Sequence, residues 1–322
     1  MLRSLLTCCA SLVMLLPVQT ATAQQVAIPP LVRLIVPFTP GAGSDVMARA
    51  VAAQLGQRLG ISVIVENRAG ASGTIGVTAV VKGPRDGSML LFTSASLVTT
   101  AATMPNVPFD ITTDLIPVAI VSDGPMLVGI SAKSGITTPA ELVAAARAKP
   151  DSLTAGSGGT GSVGHMASVL LNDAAKIQMR HIPYRGAAPA LLDVAAGNVD
   201  MLIASYSTLA PQIKSGRVLP IAVTSLQPSP AYPGIPTMAS AAPGYDATIW
   251  YGVLAPAGIP ASVLQRLHHE ITEIAKSPEL RELQKMDGAG PVMATPEELS
   301  RRIRASYAIW KQLAKDKNIV AE

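Results

Sequence analysis

The apolar positions of this chain fall into two alternating rhythms. Short unbroken runs read as strands buried on both faces; between them, apolar residues recur every three or four positions, as on one face of a helix. Leu31 to Val36 is the first strand, and Val46, Met47, Ala50, Val51 and Leu55 then repeat at helical spacing until Gly60. Strands follow at Ser62 to Glu66 and Met89 to Thr93, with a glycine turn at Gly70 to Gly73 and a helix over Ile75 to Lys82 between them. Asn106 to Asp110 is irregular. Beyond it come strands at Pro117 to Ser122 and Met126 to Ile130. Thr138-Pro139-Ala140-Glu141 is a capping box with proline at the first helical position, and its helix runs to Lys149-Pro150. Leu153 to Gly156 is a strand, and a helix follows through about Ala175. The pattern then gives a strand at Ile177 to Pro183, a helix at Ala188 to Ala196 stopped by Gly197, and a strand at Val199 to Ala204. After Leu219 to Thr224 and a strand at Ile249 to Leu254, the tail is helical. It covers Pro260 to Lys276, Pro278 to Met286, and a last helix opening on the capping box Thr295-Pro296-Glu297-Glu298. No internal repeat is visible in the sequence. The alternation predicts an α/β fold, each sheet mixed and mostly parallel with helices on its faces.

Length and composition sharpen this picture. Met1-Leu2-Arg3, an apolar run from Leu5 to Val18 and the small-residue site Ala21-Thr22-Ala23 read as a secretory signal peptide, residues 1–23, cut before Gln24. The run is shorter than the ~20 residues a membrane span needs. Cys8 and Cys9 are the only cysteines, and both leave with the leader. They come too early, and without a small-residue approach, to suit a lipoprotein. The mature chain then has no disulfide, thiolate nucleophile or thiolate metal site. Losing Arg3 takes the formal net charge from +4 to +3. That mild excess, without any Lys/Arg run, points away from nucleic acid. Aromatics are only 3% of the chain, too few for the aromatic floor that a sugar or quaternary ammonium site favours. About 300 mature residues suggest two lobes rather than one core. With a first crossing near 104–110 and a return at 219–224, lobe 1 is 24–103 plus 222–322 and lobe 2 is 104–221.

The candidate chemistry lies in two glycine-rich loops. Pro40-Gly41-Ala42-Gly43-Ser44-Asp45 and Ser157-Gly158-Gly159-Thr160-Gly161-Ser162-Val163-Gly164-His165 each follow a strand and open a helix. Unpaired backbone N–H groups at the positive end of a helix make an anion site. Asp45 either caps its helix or offers a carboxylate to a ligand amine. No Lys-Ser/Thr follows the first loop's glycines, so it is not a nucleotide P-loop. The second loop spells G-x-G-x-x-G over residues 159–164. His181-Ile182-Pro183-Tyr184-Arg185 lacks the acid a dinucleotide site needs after the next strand. The hydroxyls of Ser157, Thr160 and Ser162 add donors, and His165 is placed to donate to a bound anion. His181 reads as a satisfied core residue. His268 and His269 are adjacent on one helix and face different ways, so no metal site is expected. No G-x-S-x-G elbow occurs. Arg68 and Arg185 each stand just past a strand end, where α/β sheets bind ligands and a guanidinium suits a carboxylate.

These segments bring a known family into view. The chain resembles the periplasmic substrate-binding receptors of tripartite tricarboxylate transporters, also called the Bug family. The resemblance rests on Val36-Pro37-Phe38-Thr39-Pro40-Gly41 with Asp45, Val65-Glu66-Asn67-Arg68-Ala69-Gly70, Gly73-Thr74-Ile75-Gly76 and Pro105 to Asp110. It continues through Ser157 to His165, His181 to Gly186, Gly197-Asn198-Val199-Asp200, Pro236-Thr237 and Trp250 to Pro256, in family order and spacing. The resemblance implies a two-lobed Venus-flytrap fold with a small carboxylate between the lobes, held by backbone and hydroxyl groups of both loops and bridging waters. It also implies delivery to an inner-membrane permease, a periplasmic location, no cofactor and a monomer. The expected ligand-binding residues are Phe38, Pro40, Gly41, Ala42, Gly43, Ser44, Asp45, Ser94, Ser157, Gly159, Thr160, Gly161, Ser162, His165, Tyr184, Arg185 and Ser205. Two positions depart from the family pattern. Ala42 stands where many members carry a second glycine, and Ser240-Ala241-Ala242 replaces Glu-Ala-Gly. Two other readings stay open: a secreted hydrolase of small esters or amides using Ser157 or Ser162 with His165, and a sensory receptor that signals to a membrane partner.

Overall fold

The computed structural model describes residues 28–321, so the expected leader lies outside the described residues. The chain first lays down β1 (Leu31–Val36), α1 (Gly43–Leu59), β2 (Ser62–Asn67), α2 (Thr74–Val81), β3 (Met89–Ser94), α3 (Ser96–Thr103) and β4 (Leu115–Pro125). It continues through β5 (Leu127–Ser131), α4 (Pro139–Ala148), β6 (Thr154–Ser157), α5 (Val163–Ala175), β7 (Arg180–Pro183), α6 (Ala187–Ala196), β8 (Met201–Ala204), α7 (Tyr206–Lys214) and β9 (Val218–Val223). A long connection then leads to β10 (Thr248–Pro256), α8 (Ala261–Ala275), α9 (Pro278–Met286) and α10 (Pro296–Asp316). Among the described residues no helix is long and apolar enough to cross a membrane.

Two five-stranded sheets result, ordered β2-β1-β3-β10-β4 and β7-β6-β8-β5-β9. Their designs match. In each, the first three strands are parallel and the fourth runs antiparallel to both neighbours. That fourth strand, β10 or β5, is the first one laid down after the chain arrives from the other sheet. A duplication of topology thus exists where the sequence shows none. It survives because it is encoded in the alternation of buried runs and helices rather than in residue identity. Leu34, Ile35 and Val36 of β1 are wholly buried, as a central strand covered on both faces requires. One apolar core is continuous through both sheets, and a second cluster packs under α6 and α7.

Local signals behave as read at several helix ends. Gly60 closes α1 at φ 67°. Thr138 with Glu141, and Thr295 with Glu298, form complete reciprocal capping boxes. Two helices, α3 and α7, have no counterpart in the sequence reading. Helix α3 is Ser96-Leu-Val-Thr-Thr-Ala-Ala-Thr103, buried almost all round, so it shows no polar face. Helix α7 carries Pro211 inside it and a hydroxyl-rich first turn.

The passage between sheets also differs from expectation. β4 belongs to the first sheet, paired along its whole length with β10. The chain therefore leaves that sheet at Pro125–Leu127 and not near 104–110, where the irregular segment is a loop within the first half. The return follows β9, at Thr224. Met126 and Thr224, both fully buried, are tied together there. The Met126 N–H donates to Thr224 Oγ1 at 2.8 Å and the Thr224 N–H to the Met126 carbonyl at 3.0 Å. Thr224 Oγ1 also donates to the Ala247 carbonyl at 2.6 Å, just before β10. Both crossings thus meet in one knot of hydrogen bonds centred on Thr224. Each sheet with its helices is called a half below.

Candidate functional site

The carboxyl ends of β1 and β6 lead through the two glycine loops into α1 and α5, and those of β3 and β8 turn directly into α3 and α7. These four helix starts, two from each half, surround a cavity of about 60 Å³. The first half contributes Phe38, Ala42, Gly43, Ser44, Ser94 and Ser96, with Ile249 and Tyr251 of β10. The second contributes Gly158, Ser162, Val163, Gly164, Ala187, Ile203, Ala204, Ser205 and Thr208, and Met126 sits at the crossing. No ionisable carboxylate, amine, guanidinium or imidazole lines it. Its polar equipment is hydroxyls and helix N-termini, each worth roughly half a positive charge. Three of these ends, those of α1, α3 and α5, amount to about one and a half positive charges offered without a cationic side chain; the first turn of α7 already meets a carboxylate, Asp287, through the Ser207 N–H.

The halves meet around this cavity. The Gly43 N–H donates to Thr208 Oγ1 across the gap at 2.8 Å, and the Val163 N–H donates to Ser96 Oγ at 3.1 Å. Glycine is needed at position 43 for close approach. A Cβ there would collide with the Tyr251 hydroxyl and stand 2.5 Å from Ser205 Oγ and 2.9 Å from Ser207 Oγ. Gly161, at φ +80°, presses in the same way on Thr103 of α3.

Of the residues expected at the ligand, Phe38, Ala42, Gly43, Ser44, Ser94, Ser162 and Ser205 line the cavity. Several others do not. Pro40 and Gly41 are exposed and absent from the cavity wall. Asp45 neither sits at the N-cap, which is Ala42, nor faces the cavity. It accepts from Arg49 Nε and Nη2 at 3.0 and 2.9 Å, from the Gly41 N–H at 3.0 Å and from Asn67 Nδ2 at 2.9 Å. Burial opposes its charge. The hydrogen bonds from Arg49, Gly41 and Asn67, with the Arg49 charge, outweigh burial and hold the carboxyl below its ordinary range. Its work is to fold the first loop against β2.

Ser157 and His165 are likewise turned inward. Ser157 is fully buried; its Oγ lies 2.6 Å from His181 Nε2 and bonds within its own loop to Gly159. His165 stacks on His181, ring centroids 3.7 Å apart, and its Nδ1 accepts the Gly161 N–H at 3.0 Å. That nitrogen is an acceptor, which leaves Nε2–H as the ring's only donor. Burial, and then the neighbouring His181, pull the His165 pKa down to about 3; burial pulls His181 down to about 4. Both rings are neutral at neutral pH and brace the second loop. Among the described residues no group of three or more potential metal ligands exists.

Gly159, Thr160, Tyr184 and Arg185 lie elsewhere, on an open groove completed by Ser72, Pro183 and Val320. A third, small pocket, here called the passage, shares lining residues with both spaces. Phe38 and Gly158 belong to both cavity and passage, and Ser72, Tyr184 and Arg185 to both passage and groove. Arg68 is paired with Glu66 at 2.8 Å, whereas Arg185 makes no ion pair among the described residues. Sequence reasoning missed Ser96, Thr208 and Tyr251 in particular. Applying the strand-end rule to β3 and β8 finds the first two; Tyr251 sits mid-strand on the reversed β10 and gives no such signal.

Residues 47–319 fit the family model TctC, described as the tripartite tricarboxylate transporter family receptor. The chain belongs to this family. This TctC receptor is 37% identical over 281 residues to the UPF0065 protein of the tcbD-tcbE intergenic region of Pseudomonas sp. strain P51, covering 87% of this chain and 84% of that one. It superposes on Rpa4515 of R. palustris, solved with adipate, with a TM-score of 0.86 and 31% identity over 90% of this chain and 98% of that chain. The periplasmic binding protein BugD gives a TM-score of 0.85 at 31% identity, with the same coverage. The two-half architecture of this TctC receptor is thus the periplasmic-binding-protein fold of the Bug proteins.

Proposed function

We propose that this receptor captures a small dicarboxylate between its halves in the periplasm and presents it to the permease of a tripartite tricarboxylate transporter. The carrying observation is the convergence of four helix N-termini, two from each half, on a cavity with no ionised side chain. Such a site offers an anion oriented N–H and O–H groups, and it is complete only when both halves are present. One carboxylate fits the inner cavity against the α1 and α5 starts. The passage past Phe38 and Gly158 leads toward Arg185, whose unpaired guanidinium suits a second carboxylate at the other end of the same molecule. Adipate in Rpa4515 is a dicarboxylate of this kind. The knot at Met126, Thr224 and Ala247 is the hinge about which the halves turn, and burial of the ligand strengthens each hydrogen bond by excluding water. Export through the leader at 1–23 and action as a monomer complete the reading.

The hydrolase reading finds no support in the site. The serine nearest a histidine, Ser157, is wholly buried and bonded within its own loop. No carboxylate orients His181 as a general base would need. The test is a thermal-shift series on the mature protein with monocarboxylates and with dicarboxylates of increasing length. A dicarboxylate at one hundred times its Kd is expected to stabilise the protein by about 2.7 kcal/mol, raising the midpoint by several degrees. No shift from any carboxylate across that series refutes the proposal.

A further inference from the structure

Helix α7 starts in the second half, at the cavity wall, yet no side chain of its own caps it. Ser205 occupies the N-cap position without bonding a first-turn N–H. The cap comes from the other half. Asp287, at the end of α9, accepts the Ser207 N–H on Oδ1 at 2.6 Å and the Ser207 hydroxyl on Oδ2 at 3.0 Å. The loop that carries Asp287 is fastened to the first half. Gln284 Nε2 donates to the carbonyls of Val121 on β4 and Ala275 on α8 at 2.7 and 2.8 Å. Gly290 exchanges both main-chain hydrogen bonds with Asp123 of β4. On the hinge side, the Tyr232 hydroxyl donates to the Met286 carbonyl at 2.7 Å.

The hydroxyls around this cap form a directed chain. With Asp287 accepting from Ser207 Oγ, Ser207 is left to accept from Ser205 Oγ at 2.9 Å, and Ser205 accepts from the Tyr251 hydroxyl at 3.0 Å. Asp287 is only 2% exposed and is absent from the cavity wall. A carboxylate buried this deeply is tolerated when its oxygens are hydrogen-bonded, and here two of those bonds come from the opposite half.

We propose that Asp287 is the latch of the closed receptor, a first-half carboxylate that caps α7 of the second half only while the halves meet, setting how readily the cleft closes without touching the ligand. This rests on the reading above only in taking closure as the event that captures ligand. Asp287 is therefore a positioning residue.

The test uses no ligand, so its failure is distinct from the failure of carboxylate binding. Spin labels at Ala53→Cys on α1 and Leu192→Cys on α6, both exposed positions, report the distance between halves in the mature protein, which has no other cysteine. The parent is expected to populate the short distance. Asp287→Ala should lower the closed-to-open ratio by about tenfold or more, as expected for losing a hydrogen-bonded charge. Asp287→Asn, which keeps the shape, should fall between the two. Should the alanine variant not fold, Asp287→Asn and Ser207→Ala carry the measurement. Distance distributions that match the parent in every variant overturn the proposal. So does a parent that shows only the long distance, and so does a lower melting temperature with no change in distance, which would make Asp287 a residue of fold stability alone.

Discussion

Replacing Gly43 by alanine tests the closing motion directly. Gly43 opens α1, and its φ is not in the left-handed region, so alanine carries no backbone strain there. The obstacle is the other half. The added methyl would meet Ser205 Oγ at 2.5 Å and Ser207 Oγ at 2.9 Å, besides the Tyr251 hydroxyl. Forcing one methyl group into a packed contact costs about 1–3 kcal/mol. Separating the halves removes both serines, so the part of the cost that they cause falls on the closed form alone, while the contact with Tyr251 lies within the first half and burdens both forms. Closing then becomes roughly 5- to 150-fold less favourable, and apparent ligand affinity drops by the same factor. Titration calorimetry with whichever dicarboxylate stabilises the parent reads the affinity, and small-angle scattering reads the closure. Gly290→Ala is the control, because a Cβ there meets nothing within 4 Å. Unchanged affinity and scattering in Gly43→Ala would refute the reasoning. So would a melting temperature that falls while affinity holds, since the cost would then lie in the fold and not in closure.

Two further outcomes follow from the site. Arg185→Gln should weaken a dicarboxylate roughly five- to tenfold while leaving a monocarboxylate of equal length nearly unaffected, the charge-assisted bond being discounted for solvent exposure; equal losses for both ligands in calorimetry would remove Arg185 from the site. Stability should fall with acid between pH 6.5 and 4. His165 and His181 titrate near 3 and 4 when folded and near 6.5 when unfolded, so the unfolded chain binds more protons there. Burial raises the Asp287 carboxyl to about 6, so it takes up a proton on folding in the same window and offsets one histidine. The net is about one proton, or roughly 1.4 kcal/mol per pH unit near pH 5. Urea unfolding at pH 7, 6 and 5 measures it, and a flat profile contradicts the buried, neutral histidine pair.

The two glycine loops were legible because their signal is local. A strand end, glycines and a helix start lie within a dozen residues, and the chemistry belongs to the main chain. Capping boxes were legible for the same reason. What sequence could not yield is which way a side chain turns. Asp45, Ser157 and His165 sit in the right loops, yet each is recruited inward to hold its loop, by Asn67 and His181 from neighbouring strands that the linear order does not bring near and, for Asp45, also by Arg49 one turn on in the same helix. Helices α3 and α7 went unseen because helix periodicity is a contrast between a wet face and a dry one. Helix α3 has no wet face, and α7 hides its turns behind Ser205, Ser207, Thr208 and Pro211. The crossing was misplaced for a related reason: the irregular stretch at 106–110 looks like a boundary, whereas the true passage at Pro125–Leu127 follows the short Ser122-Asp123-Gly124 break and reads like an ordinary turn between two neighbouring strands.

The hidden elements are also the ones that complete the site, which follows from its physics. A helix whose N-terminus must face a buried anion cannot be amphipathic in the usual sense at that end, because its first turn is enclosed by protein and ligand on every side. Small hydroxyl residues serve there by accepting main-chain N–H groups. Ser94, Ser96, Ser162 and Thr208 do so, drawn from both halves. A cationic side chain would hold an anion in the open form too, on one half alone, and so weaken the dependence of binding on closure. Neutral helix ends contributed equally by both halves make capture depend on their meeting. The cavity's lack of charge therefore fits a site that is complete only when the halves meet.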